Sequence, residues 1–313
     1  MIAPFAVLTV VALAAAQTDT TINVKPGARL ELSNFAGEIA VETWTKNAIR
    51  VQANHSSRAE VEINENGPSI SIDIHHWRGI PTSVDYRLTV PKWMALELSG
   101  VNTEISVLGA QGDVEAQSVE GDVSITGGRK VTAGSVSGSV RVSGAQGRVE
   151  CSSVNAGVEV HKSSGAISAS SVNGEVVFDD IDSDDVEAST VNGEVRFSGP
   201  FKDDGSYRFG SHNGSVVVTV PEGTNASVSV STFSGGFESS FEVPLKGTKR
   251  GKSFDFTLGS GGARIELESF QGSILLRRPG DPEPKTGFDY QYQYEQKEQK
   301  KQKKHKNDAH DEP

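Results

Sequence analysis

Glu175 and Glu194 stand in one repeated context, V-N-G-E-V, at 172–176 and 191–195. Two carboxylates about 5 Å apart are the machinery of a retaining glycosidase, one as nucleophile and the other as acid and base. If successive repeats lie on neighbouring strands, their backbones sit about 4.8 Å apart. The pair is then a candidate for glycan cleavage by a lyase or glycosidase. The plainer alternative is two solvated charges flanking a bend, with no aromatic platform for a sugar beside them.

Other residues that could do chemistry form weaker patterns. The segment DDIDSDD at 179–185 sets Asp180, Asp182 and Asp184 at alternate positions, as a calcium loop begins. It then carries Asp185 where an EF-hand needs Gly and Val191 where it needs a bidentate Glu, so a solvated acidic turn competes with weak calcium binding. His55, His75, His76, His161 and His212 show no zinc spacing. No nucleophile elbow, phosphate loop or dinucleotide fingerprint occurs. The residues therefore assign no catalytic, cofactor or metal position. Arg141 and Arg196 sit at outward positions where they could meet anionic glycans or be ordinary surface arginines. Asn173, Asn192 and Asn213 form a column suited to a hydrogen-bonded amide ladder at an inward bend. Cys151 is the only cysteine, so it has no internal disulfide partner.

The elements that must position these residues come from one octapeptide. It reads GVNTEISV from 100, SVEGDVSI from 118, SVSGSVRV from 135, SVNAGVEV from 153, SVNGEVVF from 171, TVNGEVRF from 190, SHNGSVVV from 211 and TFSGGFES from 232. Its sixth and eighth positions are apolar while the seventh varies, the period of a half-buried strand. Position four is usually Gly, which tolerates positive φ and marks a tight bend. A second strand signal sits between copies, as in DVEAQ at 113–117, RVECS at 148–152 and DVEAS at 185–189. Cys151 takes the slot filled by Ala116, Ala169 and Ala188, so it reads as a small core filler rather than a reactive thiol. A unit of two strands and two bends is too short for a propeller blade and fits one coil of a β-solenoid. A continuous solenoid is expected from about residue 99 to 240.

The flanks divide the rest. Ile2 to Ala16 is a short apolar run ending in Ala14-Ala15-Ala16, which reads as a signal peptide (1–16) cleaved between Ala16 and Gln17. An irregular β-rich capping region follows (17–98), then the solenoid repeats (99–278), with ARIELESFQGSILL at 263–276 recovering the motif. Residues 279–313 read as a disordered tail in which Lys297, Lys300, Lys301, Lys303, Lys304 and Lys306 could touch an anionic surface. The net charge of −11 argues against a nucleic-acid partner.

The β-rich start, the YRLTVPKW segment at 86–93 and the serial SVxGDV or SVNGEV repeats together resemble the adhesin-like family of unknown function found among bacterial exported proteins. That resemblance, over about residues 20 to 278, implies an all-β, single-stranded parallel β-helix, right-handed, in the cell envelope. It carries over no catalytic residue. The expectation is a non-enzymatic exported adhesin or interaction scaffold, in the periplasm or on the surface, with an envelope protein or glycan as partner. A glycan-active β-helix enzyme is the alternative.

Overall fold

The structure, a computed structural model, describes residues 16–57, 59–76, 82–243 and 252–282. Nearly all of the apolar N-terminal run and the Lys-rich stretch lie outside the described residues. Within them every regular element is a strand. The N-terminal strands are β1 (Ala16–Asn23), β2 (Arg29–Trp44), β3 (Ala48–His55), β4 (Ala59–Asn66), β5 (Ser69–His76) and β6 (Val84–Pro91), followed by the long β7 (Ala95–Ala110). The repeats supply pairs: β8 (Val114–Ser118) and β9 (Val123–Gly127), β10 (Lys130–Ser135) and β11 (Val140–Ser143), β12 (Gln146–Ser153) and β13 (Val158–His161). They continue with β14 (Ser164–Ser171) and β15 (Val176–Asp179), β16 (Asp182–Thr190) and β17 (Val195–Ser198), β18 (Ser206–Ser211) and β19 (Val216–Thr219). Last come β20 (Ala226–Thr232), β21 (Phe237–Ser239), β22 (Lys252–Leu258), β23 (Ala263–Ser269) and β24 (Ile274–Arg277).

Each repeat is one coil, and equivalent strands stack in parallel register. Val131 pairs with Val114 and Val149, and Val140 with Val123 and Val158. Alternation turns Val140 and Val142 into the core and Arg141 outward. Across the coil, Val149, Cys151 and Ser153 point inward. Cys151 stacks between Ala133 and Ala169, as its slot in the repeat predicts. Burial pushes its thiol up to about 12, with the charge of Glu150 adding to the rise. The folded thiol therefore keeps its proton where the unfolded chain, near pH 9, releases it. Its stabilising share is full below about pH 9 and declines, by roughly 1.4 kcal/mol per unit, as pH rises toward 12. The native chain is expected to ignore thiol reagents at pH 8 and to react only on unfolding; prompt native labelling would contradict the burial.

The first residue of the octapeptide supplies what the core-facing pattern hides. Ser135 Oγ donates to the Gly121 carbonyl at 2.9 Å and accepts from Gly138 N at 2.9 Å. Ser171 does the same between Ala156 O and Gly174 N, both at 2.9 Å. Buried Ser118, Ser153, Thr190 and Ser211 continue the column, each donating to the previous coil. One hydroxyl thus closes its own bend and ties it to the coil below. Ser171→Ala leaves a buried donor and acceptor unpaired and is expected to cost about 1–3 kcal/mol by chemical denaturation. Ser171→Thr, the residue type at 190, is expected to stay within about 1 kcal/mol of the parent.

The repeated glycines need a correction. Gly121, Gly138, Gly174, Gly193, Gly214 and Gly235 are absent from the positive-φ glycines, which lie elsewhere, as at Gly127 and Gly147. The bend at position four is instead crowded: a Cβ at Gly193 would lie 2.0 Å from the Gly174 carbonyl oxygen, and one at Gly214 1.8 Å from that of Gly193. Glycine is there because successive backbones touch.

The stack follows chain order only in the middle. At its start, β2 lies between β7 on one side and β5 with β6 on the other, so β5 and β6 supply the strands of the outermost parallel coil. Antiparallel β4 and β3, with β1 beyond β3, cover that end. At the far end, β23 and β24 insert between β18/β19 and β20/β21. The parallel stack expected from about residue 99 to 240 runs on through β20 and β21, but it leaves chain order after Thr219. The reason lies in β20, whose outer edge is taken antiparallel by β22. With that edge closed, its inner edge accepts β23, whose Ile265 and Leu267 register with the aromatic Tyr207 and Phe209.

Candidate functional site

The outer face of the first ladder, β5 to β20, is concave because its repeat carries mostly small residues at one outward position. These are Ser99, Gln117, Gly134, Ser152, Ser170, Ser189 and Gly210 on successive coils, all but Ser99 just before a buried hydroxyl and with Gln117 as the one long side chain. They floor a longitudinal groove. Its central segment encloses about 590 Å³, and segments of about 330 Å³ and 350 Å³ continue it toward the two ends. One wall is polar and mostly acidic, with Glu97, Glu115, Glu150 and Glu187 joined by Arg148 and Arg208. Arg148 bonds Glu150 at 2.7 Å along that wall.

The other wall is a ridge built by position two of the octapeptide. Val101, Val119, Val136, Val154, Val172 and Val191 are each 39–43% exposed. The ridge starts at Phe35 and ends in an aromatic stack, His212 on Phe270 and Phe270 on Phe233, both with centroids 4.7 Å apart. Phe233 is 63% exposed. Backbone bonds such as Ser137 N to Val119 O and Asn173 N to Val154 O hold each rung over the last. Beyond the ridge runs the amide ladder: Asn173 donates to Asn155, Asn192 to Asn173 and Asn213 to Asn192, at 3.0, 2.8 and 2.7 Å. The ladder exists, but it is exposed rather than inward, because the chain at this bend turns its third residue to solvent. Small floor residues and the exposed valine of each S-V pair were the signal in the sequence for this face.

The residues singled out for chemistry lie elsewhere. Glu175 and Glu194 do occupy neighbouring coils, with Val176 N bonding the Glu194 carbonyl. Neither lines the groove. The Glu194 carboxylate is held by Arg196 at 2.6 Å, and Arg141 pairs with Glu159 at 3.2 Å, both on the outer face of the second ladder. Half-exposed pairs of this kind contribute little stability. In the acidic segment, Asp182 is engaged by Lys202 at 2.9 Å and Ile181 points into the core. That hydrogen bond raises the Lys202 pKa. Among the described residues no group of three or more His, Cys, Asp or Glu is placed to hold a metal ion.

Three solved structures are similar to this chain. A candidate cell adhesion protein from Clostridium sporogenes aligns over 85% of this chain and 100% of its own at 9% identity, with a TM-score of 0.23. A candidate adhesin from Bacteroides fragilis covers 84% and 98% at 11% identity and 0.37. One from Parabacteroides merdae covers 83% and 95% at 11% identity and 0.32. No curated protein matches. A family model, Toastrack DUF4097, matches residues 27–277, which takes in every coil of the stack and both of its out-of-order ends: the chain belongs to the Toastrack DUF4097 family.

Proposed function

We propose that this protein is a non-enzymatic, exported component of the cell envelope, an adhesin-like scaffold that receives an extended partner along its groove. The observation that carries the reading is the groove itself: a trough continuous over successive coils, floored by hydroxyls and glycine, matches a linear polymer better than a compact substrate. The partner class is an envelope glycan or an extended polypeptide. The apolar run ending at Ala16, with Gln17 as the new first residue, supports export. In this reading the coil winds right-handed, as parallel crossovers do. Residues 17–98 serve to close the N-terminal end of the stack, with β1, β3 and β4 covering the coils of β2, β5 and β6. The Lys-rich stretch from Lys297 to Lys306 holds the chain against anionic headgroups or wall polymers. Salt-sensitive sedimentation with anionic vesicles, lost when the chain ends at Arg278, tests that last element.

The groove can be filled without disturbing the fold. A Cβ at Gly210 meets nothing within 4 Å, and one at Gly134 first meets the Ser152 hydroxyl at 3.4 Å. Gly134→Arg with Gly210→Arg is expected to weaken co-sedimentation with native envelope fragments about tenfold or more, about 1.4 kcal/mol. Arg141→Ala, on the other ladder, should bind like the parent. Undiminished binding by the filled variant would overturn the reading. Release of reducing ends from a polysaccharide, abolished by Glu194→Gln, would return the glycan-cleaving alternative.

A further inference from the structure

The ridge has properties that the groove does not require. Its side chains recur once per coil, about 4.8 Å apart, and ten rungs from Phe35 to Phe233, nine of them apolar and the other the His212 ring stacked on Phe270, make a line about 43 Å long. Monomeric proteins rarely expose a contiguous apolar feature of this size. Its borders are nearly free of charge in a chain of net charge −11. On both sides of the ridge, between Ser99 and Asn213, the flanking residues are Ser, Gly, Gln and Asn, with Glu120 as the one charge. Loss of charge at the centre of a patch marks an interface core.

We infer that the ridge is a self-association surface, on which a second copy of this chain docks ridge to ridge in an antiparallel two-fold dimer. The spacing argues for the occupant. A row of knobs every 4.8 Å interdigitates along its whole length only with a row of the same period, and a second copy has that period by construction. The strip, in which Glu120 is the one charge, lets two acidic chains meet with few like charges opposed. A two-fold axis along the stack would set each valine head-on against its own counterpart. An axis perpendicular to the stack permits a half-rung offset, and it places Phe35 of one copy opposite the Phe270–Phe233 stack of the other. A strip about 43 Å by 14 Å buries about 1,200 Å² in total, the low end for a specific interface, so micromolar affinity is expected. This inference does not depend on what the groove binds.

Sedimentation equilibrium of the full chain tests it. At tens of micromolar the parent is expected to show a monomer–dimer equilibrium. Val154→Lys with Val172→Lys should be monomeric with unchanged melting, and the corresponding Ser pair should weaken association without adding charge. Because Cys151 is buried, single cysteines report orientation: mixing Phe35→Cys with Phe233→Cys chains is expected to give mostly the mixed disulfide. A parent that stays monomeric at these concentrations overturns the inference and leaves the ridge to another partner. A dimer that survives the Lys pair, or one that forms mainly Phe35→Cys homodisulfides, overturns it as well.

Discussion

Replacing Val176 by Asp is expected to cost about 4–5 kcal/mol and to destroy cooperative unfolding, whereas Val177→Asp, one residue along, should stay within about 1 kcal/mol of the parent. Val176 has no exposed surface and stacks between Val158 and Val195 in the middle of the second ladder. A carboxylate there loses the burial of an aliphatic side chain and finds no partner among those neighbours. It must also be desolvated or protonated at every pH where proteins are handled. Val177 faces outward between Glu159 and Arg196, so its change adds a charge to an already charged row. Whole-domain stabilities of about 5–15 kcal/mol leave little margin for the first substitution. Urea denaturation of both variants is the measurement, and parent-like unfolding of Val176→Asp would show that the inward and outward faces are reversed.

The second large effect follows from the inserted coil. A chain ending at Leu258 lacks β23 and β24, which among the described residues are the only parallel partners of β20 and β21 and the outer partners of β18 and β19. Tyr207 and Phe209 then lose the Ile265 and Leu267 layer above them, and the parallel edges of β18 and β19 open to other chains. The expected result is loss of the folded far end, seen as protease cleavage beyond Thr219 and aggregation at micromolar concentration. A chain ending at Pro282 keeps the Asp281 contacts to Ser240 and to Arg278 N. It should melt like the full chain. If the Leu258 chain resists protease as the full chain does, the last coil does not lie between the two it joins.

The middle of this fold was legible because one pattern states two facts at once. An apolar residue at positions six and eight of nearly every octapeptide fixes the inward face, and the Val-x-Ala pattern across the middle coils, with Cys151 as its variant, fixes the other. The ends were not legible for a local reason. The copy beginning at Ser269 keeps both apolar positions, Ile274 and Leu276, while the one beginning at Thr232 has Ser239 at the eighth, and nothing within either says which neighbour it stacks upon. That choice is made by the antiparallel pairing of β20 with β22, a segment with no repeat signature. The glycines misled in an instructive way: composition pointed to positive φ, while the cause is contact between coils, which appears only once the coils are stacked. The ridge was present as the valine of every S-V pair. Its exposure depends on the bend, which buries the hydroxyl before it and turns the next two residues to solvent. Glu175 and Glu194 carry visible chemistry in the sequence, while the groove is floored by residues with little chemistry of their own.

Because Cys151 is silent in the folded chain, a single introduced thiol can be blocked and compared with itself. Ser170→Cys places it on the groove floor, and Val177→Cys places it on the opposite ladder. Binding to native envelope fragments is measured before and after reaction with a bulky maleimide. The predicted result is that the blocked Ser170→Cys chain loses binding about tenfold or more, while the blocked Val177→Cys chain binds as it did unblocked. Unchanged binding by the blocked Ser170→Cys chain, or loss confined to Val177→Cys, would contradict the assignment of the groove as the surface through which this protein acts.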